Sequence, residues 1–371
     1  MYNIYENKKN RWVYASKSDK TKFITTIHII SLSVVLQFLL FRELPEIIYG
    51  FFGFLIYGLG ILDADFFYLL PYEEIDSIFY NIMSIITTLT VCFLTFVFII
   101  LCMRKFVLKQ DIYNHDKNKI DKTEKITYKF KLPKNTPFLL ITGVCIIEFS
   151  SFVYLFVNYL LEKLFSVVPI PLSDFQLYFP QTGFGIVLYF ISLVIIPAFA
   201  EEFVCRYIML NILKKHGNIF AIIVTSVFFG FMHARVSAFI YATAIGVFLA
   251  YIAIKTKSIW FPVIMHAVVN SVSFIFQYLY SLPNFTESAE IIYFIFLSVI
   301  SLISFIYLLI LIVKRKEPEL KNPENYMHVT NKHKLIFFFN IASLIFFVLA
   351  ILRSFEDYTF LNIPDLKFII G

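Results

Sequence analysis

The chain has 371 residues, 59% hydrophobic and only 16% charged, where about a quarter is usual for soluble domains. With 46 Phe, 23 Tyr and 11 Gly, it is neither a disordered chain, a collagen nor a small disulfide scaffold. The net charge of +6 does not point to nucleic acid, because the basic residues flank apolar runs, as at the cytoplasmic ends of membrane helices. Several of those runs reach the roughly 18 residues that cross about 30 Å of hydrocarbon. The composition therefore predicts an all-α, polytopic membrane bundle instead of two or three soluble domains.

In chain order, Lys8, Lys9, Arg11, Lys17, Lys20 and Lys22 precede a first span at Phe23–Phe41. The positive-inside rule then puts the N-terminus in the cytoplasm. This run is too long for a signal-peptide core and lacks a small-residue cleavage site, so it reads as a retained helix. The stretch Ile47–Leu62 holds four glycines and is followed by Asp63, Asp65, Glu73, Glu74 and Asp76. It is short for a span and predicts an interfacial or re-entrant segment on the outer side. A second span at Ser77–Met103 returns the chain inside. The loop Arg104–Pro137 carries ten Lys/Arg against four acidic residues, which makes it a cytoplasmic loop in contact with anionic lipid.

Further spans are expected at Phe138–Leu161, Phe184–Leu213, Asn218–Met232, Ser237–Ile254, Ser258–Tyr280, Ile291–Val313 and Lys334–Leu352. With nine spans, the lysines at 214–215, 255–257 and 314–316 all fall inside. The organisation expected is an N-terminal membrane region at 1–137, a core at 138–280 and C-terminal helices at 281–371. Cys92, Cys102, Cys145 and Cys205 lie in or at the ends of apolar runs without a CxxC, and read as small apolar fillers.

Charge inside a bilayer is costly, so intramembrane ionisable residues are functional candidates. Three groups stand out. Glu201-Glu202-Phe203-Val204-Cys205-Arg206 is an EExxxR inside the run Phe184–Leu213. Glu202 and Arg206 are i,i+4, so their side chains meet on one face. Adjacent residues point about 100° apart, which leaves Glu201 to face a polar cavity as a candidate general base. Pro197 kinks this helix and frees a carbonyl near the site. Phe229 and His233 form an FxxxH, and His266 and Asn270 an HxxxN. His and Asn at i,i+4 suit an oxyanion or a polar bridge between helices. Taken singly, each group also fits a buried ion pair or a packed polar residue.

Depth connects them. Glu201 lies roughly 20 Å from the inner end near Lys214, His233 roughly 22 Å from Asn218, and His266 roughly 12–14 Å from Lys257. Three separate spans thus bring complementary polar groups to overlapping depth. Zinc-helix HExxH, rhomboid-type Gly-x-Ser-Gly and GxGD patterns are absent from the sequence.

The ordered set EExxxR, FxxxH and HxxxN resembles the CPBP family, also called the Abi or CAAX-protease-and-bacteriocin-processing family, whose eukaryotic relatives are the Ras-converting CAAX endopeptidases. The resemblance covers about Gly183–Ser273. It implies an intramembrane protease in which Glu201 and His233 activate water while His266 and Asn270 stabilise the oxyanion, with Glu202, Arg206 and Phe229 in support. No cofactor is expected on this reading. The alternative it implies is one divalent metal such as zinc on Glu201, His233 and His266. Cys205 and Tyr207 depart from the family's usual aromatic and glycine beside the arginine. Arg235 is an extra charge past His233, a loop cation or a contact for a substrate carboxylate.

The expected partners are a membrane-associated peptide or protein substrate and the lipid bilayer, with no nucleic acid. Two other classes stay open: an immunity or partner-binding protein that keeps the fold without proteolysis, and a proton-coupled transporter using Glu201 and Glu202. The abundance of Phe, Ile, Lys and Asn suggests an AT-rich genome, hence a bacterial cell membrane.

Overall fold

A computed structural model describes residues 13–14, 17–53, 72–107, 126–129, 136–166, 179–233, 236–282, 287–313, 327–328 and 330–359. Helices dominate: α1 (Lys17–Gly53), α2 (Tyr72–Cys102), α3 (Thr136–Ser166), α4 (Gly183–His216), α5 (Asn218–Phe231), α6 (Val236–Thr256), α7 (Trp260–Ser281), α8 (Glu287–Val313), α9 (Asn331–Phe339) and α10 (Ile341–Thr359). The reason is solvation: in hydrocarbon every backbone N–H and C=O must find its partner within the protein, and a helix supplies them all. The only strands among the described residues are β1 (Val13–Tyr14) and β2 (Met327–His328), paired in parallel.

Each of the nine stretches expected to span is helical. Among the described residues, six helices are long and apolar enough to cross a membrane, and seven if the pair α9 and α10, bent by 47°, counts as one span. The 14 residues of α5 rise only about 21 Å, short of a full hydrocarbon core. This architecture defines an integral, multi-pass membrane protein.

The stretch expected to be an interfacial or re-entrant segment begins as a continuation of the first helix. Helix α1 runs on through Pro45 to Gly53, so Ile47–Gly53 continues the first helix. At 37 residues it rises about 55 Å, more than the hydrocarbon requires. Residues 54–71, with Asp63 and Asp65, lie outside the described residues, as do Arg235 and most of the loop at 104–137.

Helix α1 is not peripheral. Phe23, Ile27, Ile30 and Val34 are almost fully buried, and their alternating spacing of four and three forms one helical stripe. Phe23 meets His216 edge-on at 4.5 Å. Behind α5, Phe228 packs on Phe337 at 4.8 Å and Phe346 at 5.1 Å. One apolar cluster therefore takes side chains from α1, α4, α5, α6, α9 and α10. Helix α3 packs against α6 on one side and α8 on the other. Helices α5 and α6 approach closely at Gly230, where an added Cβ would come within 2.8 Å of the Phe239 carbonyl. All four cysteines are free.

Candidate active site

Helix α4 carries the acidic pair, and it is not regular. Ile191–Ile195 and Phe203–Leu210 have π geometry, which recurs at functional sites because the wider turn re-aims side chains. Pro197 lies in the short α segment between them. Having no N–H, Pro197 leaves the carbonyl of Leu193 without its α-helical donor. That carbonyl instead accepts from Asn270 Nδ2 of α7 at 3.2 Å. The freed carbonyl expected from the sequence is present, and it anchors one of the candidate site residues.

The expected ion pair is also present. Arg206 donates to Glu202 Oε1 at 2.8 Å, with both side chains fully buried. A second guanidinium nitrogen donates to the Gly246 carbonyl of α6 at 3.2 Å. The plane of Arg206 lies over the Phe229 ring at 4.5 Å, a cation–π contact in a desolvated setting. Phe229 in turn stands edge-on to His233 at 5.0 Å and to His266 at 5.6 Å. The FxxxH phenylalanine is thus the wall between the two histidines and the floor beneath the guanidinium. Cys205, in a position where the resemblance expects an aromatic, is buried against Phe229 and Ala242.

His266 lies between the two glutamates. Its Nδ1 donates to Glu202 Oε1 at 2.9 Å, and its Nε2 lies 4.0 Å from Glu201 Oε2. Adjacent acids about 100° apart on a helix thereby address opposite nitrogens of one imidazole. Glu202 is fully buried, whereas the Glu201 side chain is 21% exposed. Glu202 does more than pair with Arg206: it fixes the ring of His266. A gap of 4.0 Å is too long for a direct hydrogen bond and suits a bridging water.

His233 sits at the end of α5, exposed, with Nδ1 donating to the Phe229 carbonyl at 2.8 Å. A carbonyl only accepts, so that nitrogen carries the proton and Nε2 of the neutral ring is an acceptor. The structure therefore joins Glu202, Arg206, Phe229 and His266 by direct contacts, with Glu201 Oε2 4.0 Å from His266 Nε2. It brings His233 in through Phe229 and Asn270 in through Leu193. Among the described residues no group of three His, Cys, Asp or Glu is assembled to hold a metal. Of the set Glu201, His233 and His266, His266 keeps Nε2 open towards Glu201 at 4.0 Å while Glu202 holds its Nδ1.

Several supporting groups carry no motif and were not legible in the sequence. Glu74 at the start of α2, expected in an acidic cluster on the outer side, is buried to 1%. It accepts from the backbone N–H of Gln181 at 2.8 Å and of Thr182 at 3.1 Å, and from the Thr182 hydroxyl. Thr182 caps α4 by accepting from Gly185 N–H. A carboxylate there also complements the positive end of the helix. Deeper in the membrane, Ser192 bonds Asn81 of α2, and Tyr189 bonds Gln277 of α7. These pairs fix the rotation of α4 against its neighbours. Glu148 on α3 is a further intramembrane acid that belongs to no motif, and the Ser301 hydroxyl of α8 donates to its backbone carbonyl at 2.8 Å.

A multi-pass helical bundle with a buried cluster of carboxylates, guanidinium and imidazole defines a class of membrane protein with polar chemistry at depth. Residues 183–272 match the family model described as "Type II CAAX prenyl endopeptidase Rce1-like". Over this segment the chain resembles the CAAX-protease type. It is also 33% identical over 84 residues to a Bacillus subtilis (strain 168) protein described as "Putative membrane peptidase YdiL", a match covering 22% of this chain. The chain spans about a third of the length of that curated relative, 34%. No solved structure matches.

Proposed function

We propose that the protein is an intramembrane endopeptidase that hydrolyses a peptide bond of a membrane-associated peptide or protein. The observation that carries this reading is the placement of His266, with one nitrogen held by a buried carboxylate and the other 4.0 Å from a partly exposed one. A purely structural ion pair is complete with Glu202 and Arg206. It does not need a second carboxylate facing the same ring from an accessible position.

On this reading, a water between Glu201 and His266 is deprotonated by Glu201 as it attacks the scissile carbonyl. His233 Nε2 accepts a second hydrogen bond from that water and so orients it. The negative charge that develops on the carbonyl oxygen is met by donors. Asn270 spends one amide N–H on Leu193 and keeps the other for the oxyanion. His266 donates through Nε2 only when both nitrogens are protonated, because Nδ1–H is committed to Glu202. With Glu201 then holding the proton from water, Glu202 and the oxyanion carry two negative charges against the two positive charges of Arg206 and His266, so the site is neutral. Collapse of the tetrahedral intermediate breaks the C–N bond, and Glu201 returns the proton to the leaving amine. The products are a carboxylic acid and an amine, which exchange a proton on release, with no redox change and no step through a metal.

Family and relative support the protease class, and the placement of His266 between Glu201 and Glu202 supports the roles of those three residues. The test is cleavage of a quenched fluorescent peptide library by purified protein in mixed micelles, compared with Glu201→Gln. Loss of turnover in a folded variant is the expected result. Full turnover by Glu201→Gln would overturn the assignment of Glu201 as base, whereas no cleavage by the unaltered protein would favour the partner-binding reading of the same fold.

A further inference from the structure

From the basic loop that precedes α3, a short segment at residues 126–129 returns to the body of the protein. It is extended and meets the turn between α6 and α7 in a parallel bridge, Thr127 against Ser258. Thr127 N–H donates to the Lys257 carbonyl at 3.0 Å, and Ile259 N–H donates to the Thr127 carbonyl at 3.0 Å. Ser258 Oγ donates to the Lys129 carbonyl at 2.8 Å, and the Trp260 indole N–H to the Tyr128 carbonyl.

The segment is held on its other side by one side chain. Asn211 Oδ1 accepts from Ile126 N–H at 2.9 Å, and Asn211 Nδ2 donates to the Ile126 carbonyl at 3.0 Å. An amide that bonds both N–H and C=O of a single residue reads peptide backbone, whatever the side chain. Ile126 itself is 1% exposed, whereas Tyr128 is 70% exposed. One apolar anchor with a ladder of main-chain bonds is how proteins bind an extended peptide by strand addition. Lys257, at the turn, has φ of 53°, a left-handed conformation that costs a non-glycine residue of order 1 kcal/mol. It persists at a place where its carbonyl is aimed at the bound strand.

This cradle is built on the same helices as the candidate active site. Asn211 lies on α4, the helix of Glu201. Trp260 starts α7, six residues and roughly 9 Å along the helix before His266. The Trp260 ring meets Phe199 at 6.2 Å, two residues before Glu201. We infer that Asn211 and the turn Lys257–Ile259 form the strand-binding cradle for the peptide substrate, and that Ile126–Lys129 occupies it as an internal competitor. The inference rests on the endopeptidase reading above and deepens it: the substrate docks as an extended chain by its backbone, and the basic loop must leave first.

The test uses full-length protein in mixed micelles and the same quenched peptide library. Thr127→Pro removes an N–H and forbids the ladder. With the Thr127–Lys257 backbone bond lost from the competitor, KM falls about five- to tenfold with kcat unchanged. Adding Asn211→Ala to Thr127→Pro cancels that gain, because the cradle is then damaged for substrate as well. Thr127→Cys with Ser258→Cys locks the strap when oxidised: turnover falls, and reduction restores it, while the single-cysteine variants show neither effect. Equal turnover of the oxidised and reduced forms, or a Thr127→Pro protein with lowered kcat and unchanged KM, would mean a structural clasp and overturn the inference. Hydrolysis is separated from docking by a labelled synthetic peptide carrying residues 122–131, added to Glu201→Gln protein. Binding that appears only when Thr127→Pro is also present supports the cradle. Absence of binding refutes it, even if Glu201→Gln has already refuted the protease.

Discussion

Glu202 Oε1 accepts two charge-assisted hydrogen bonds, from Arg206 at 2.8 Å and from His266 Nδ1 at 2.9 Å, and so couples a contact four residues away to one sixty-four residues away. Among the described residues its other oxygen, Oε2, has no hydrogen-bond partner, and neither has Arg206 Nε. Such a group is over-committed at one atom, and its removal strands a buried cation. Glu202→Gln keeps the shape but weakens both bonds. Turnover is expected to fall by about 100-fold or more, with a thermal-shift loss in detergent corresponding to about 3–5 kcal/mol for Glu202→Ala. A Glu202→Gln protein with normal turnover would show that His266 needs no orienting carboxylate.

Pro197 and Asn270 are linked through Leu193. Pro197→Ala returns an N–H that competes for the Leu193 carbonyl, so the Asn270 amide loses its anchor. The expected outcome is lower kcat with KM little changed, by about tenfold, alongside equal or better thermal stability because a helical bond is regained. Asn270→Ala removes the donor itself and is expected to cost about 100-fold in kcat. If Pro197→Ala lowers stability and leaves kcat alone, the carbonyl is not a positioning device.

At the far end of α4, Glu74 is a carboxylate held by two backbone N–H groups and a hydroxyl. Glu74→Ala leaves those donors unsatisfied and is expected to destabilise by about 1–3 kcal/mol, read as a lower melting temperature in detergent. Glu73→Ala, its neighbour on an exposed position, is expected to change stability by no more than about 0.5 kcal/mol. Equal effects of the two substitutions would remove the capping role.

Gly230 sets the spacing of α5 and α6 next to Phe229. Gly230→Ala forces a methyl within 2.8 Å of the Phe239 carbonyl, and backbone cannot yield as a side chain can. The helices must separate, with an expected loss of about 1–3 kcal/mol and a shift of the Phe229 wall that lowers turnover. Unchanged stability would mean that α6 slides without cost.

The sequence by itself determined the class of fold, because an apolar run in hydrocarbon has one backbone solution, the helix. It also exposed the residues that carry charge or imidazole at depth, since Glu201, Glu202, Arg206, His233, His266 and Asn270 stand out in apolar surroundings. The Glu202–Arg206 pair and the carbonyl freed by Pro197 followed from helical spacing and proline chemistry, which are local. What the sequence could not show is set by contacts between distant segments. That one imidazole fits between adjacent acids depends on how α7 packs on a π-distorted α4. Glu74 resembles any acid near a loop until α2 brings it to the start of α4. Ile126–Lys129 looks like part of a solvated basic loop until Asn211 and the Lys257–Ile259 turn bind its backbone. Main-chain hydrogen bonds across the fold leave no trace in side-chain pattern, so only the tertiary structure decided them.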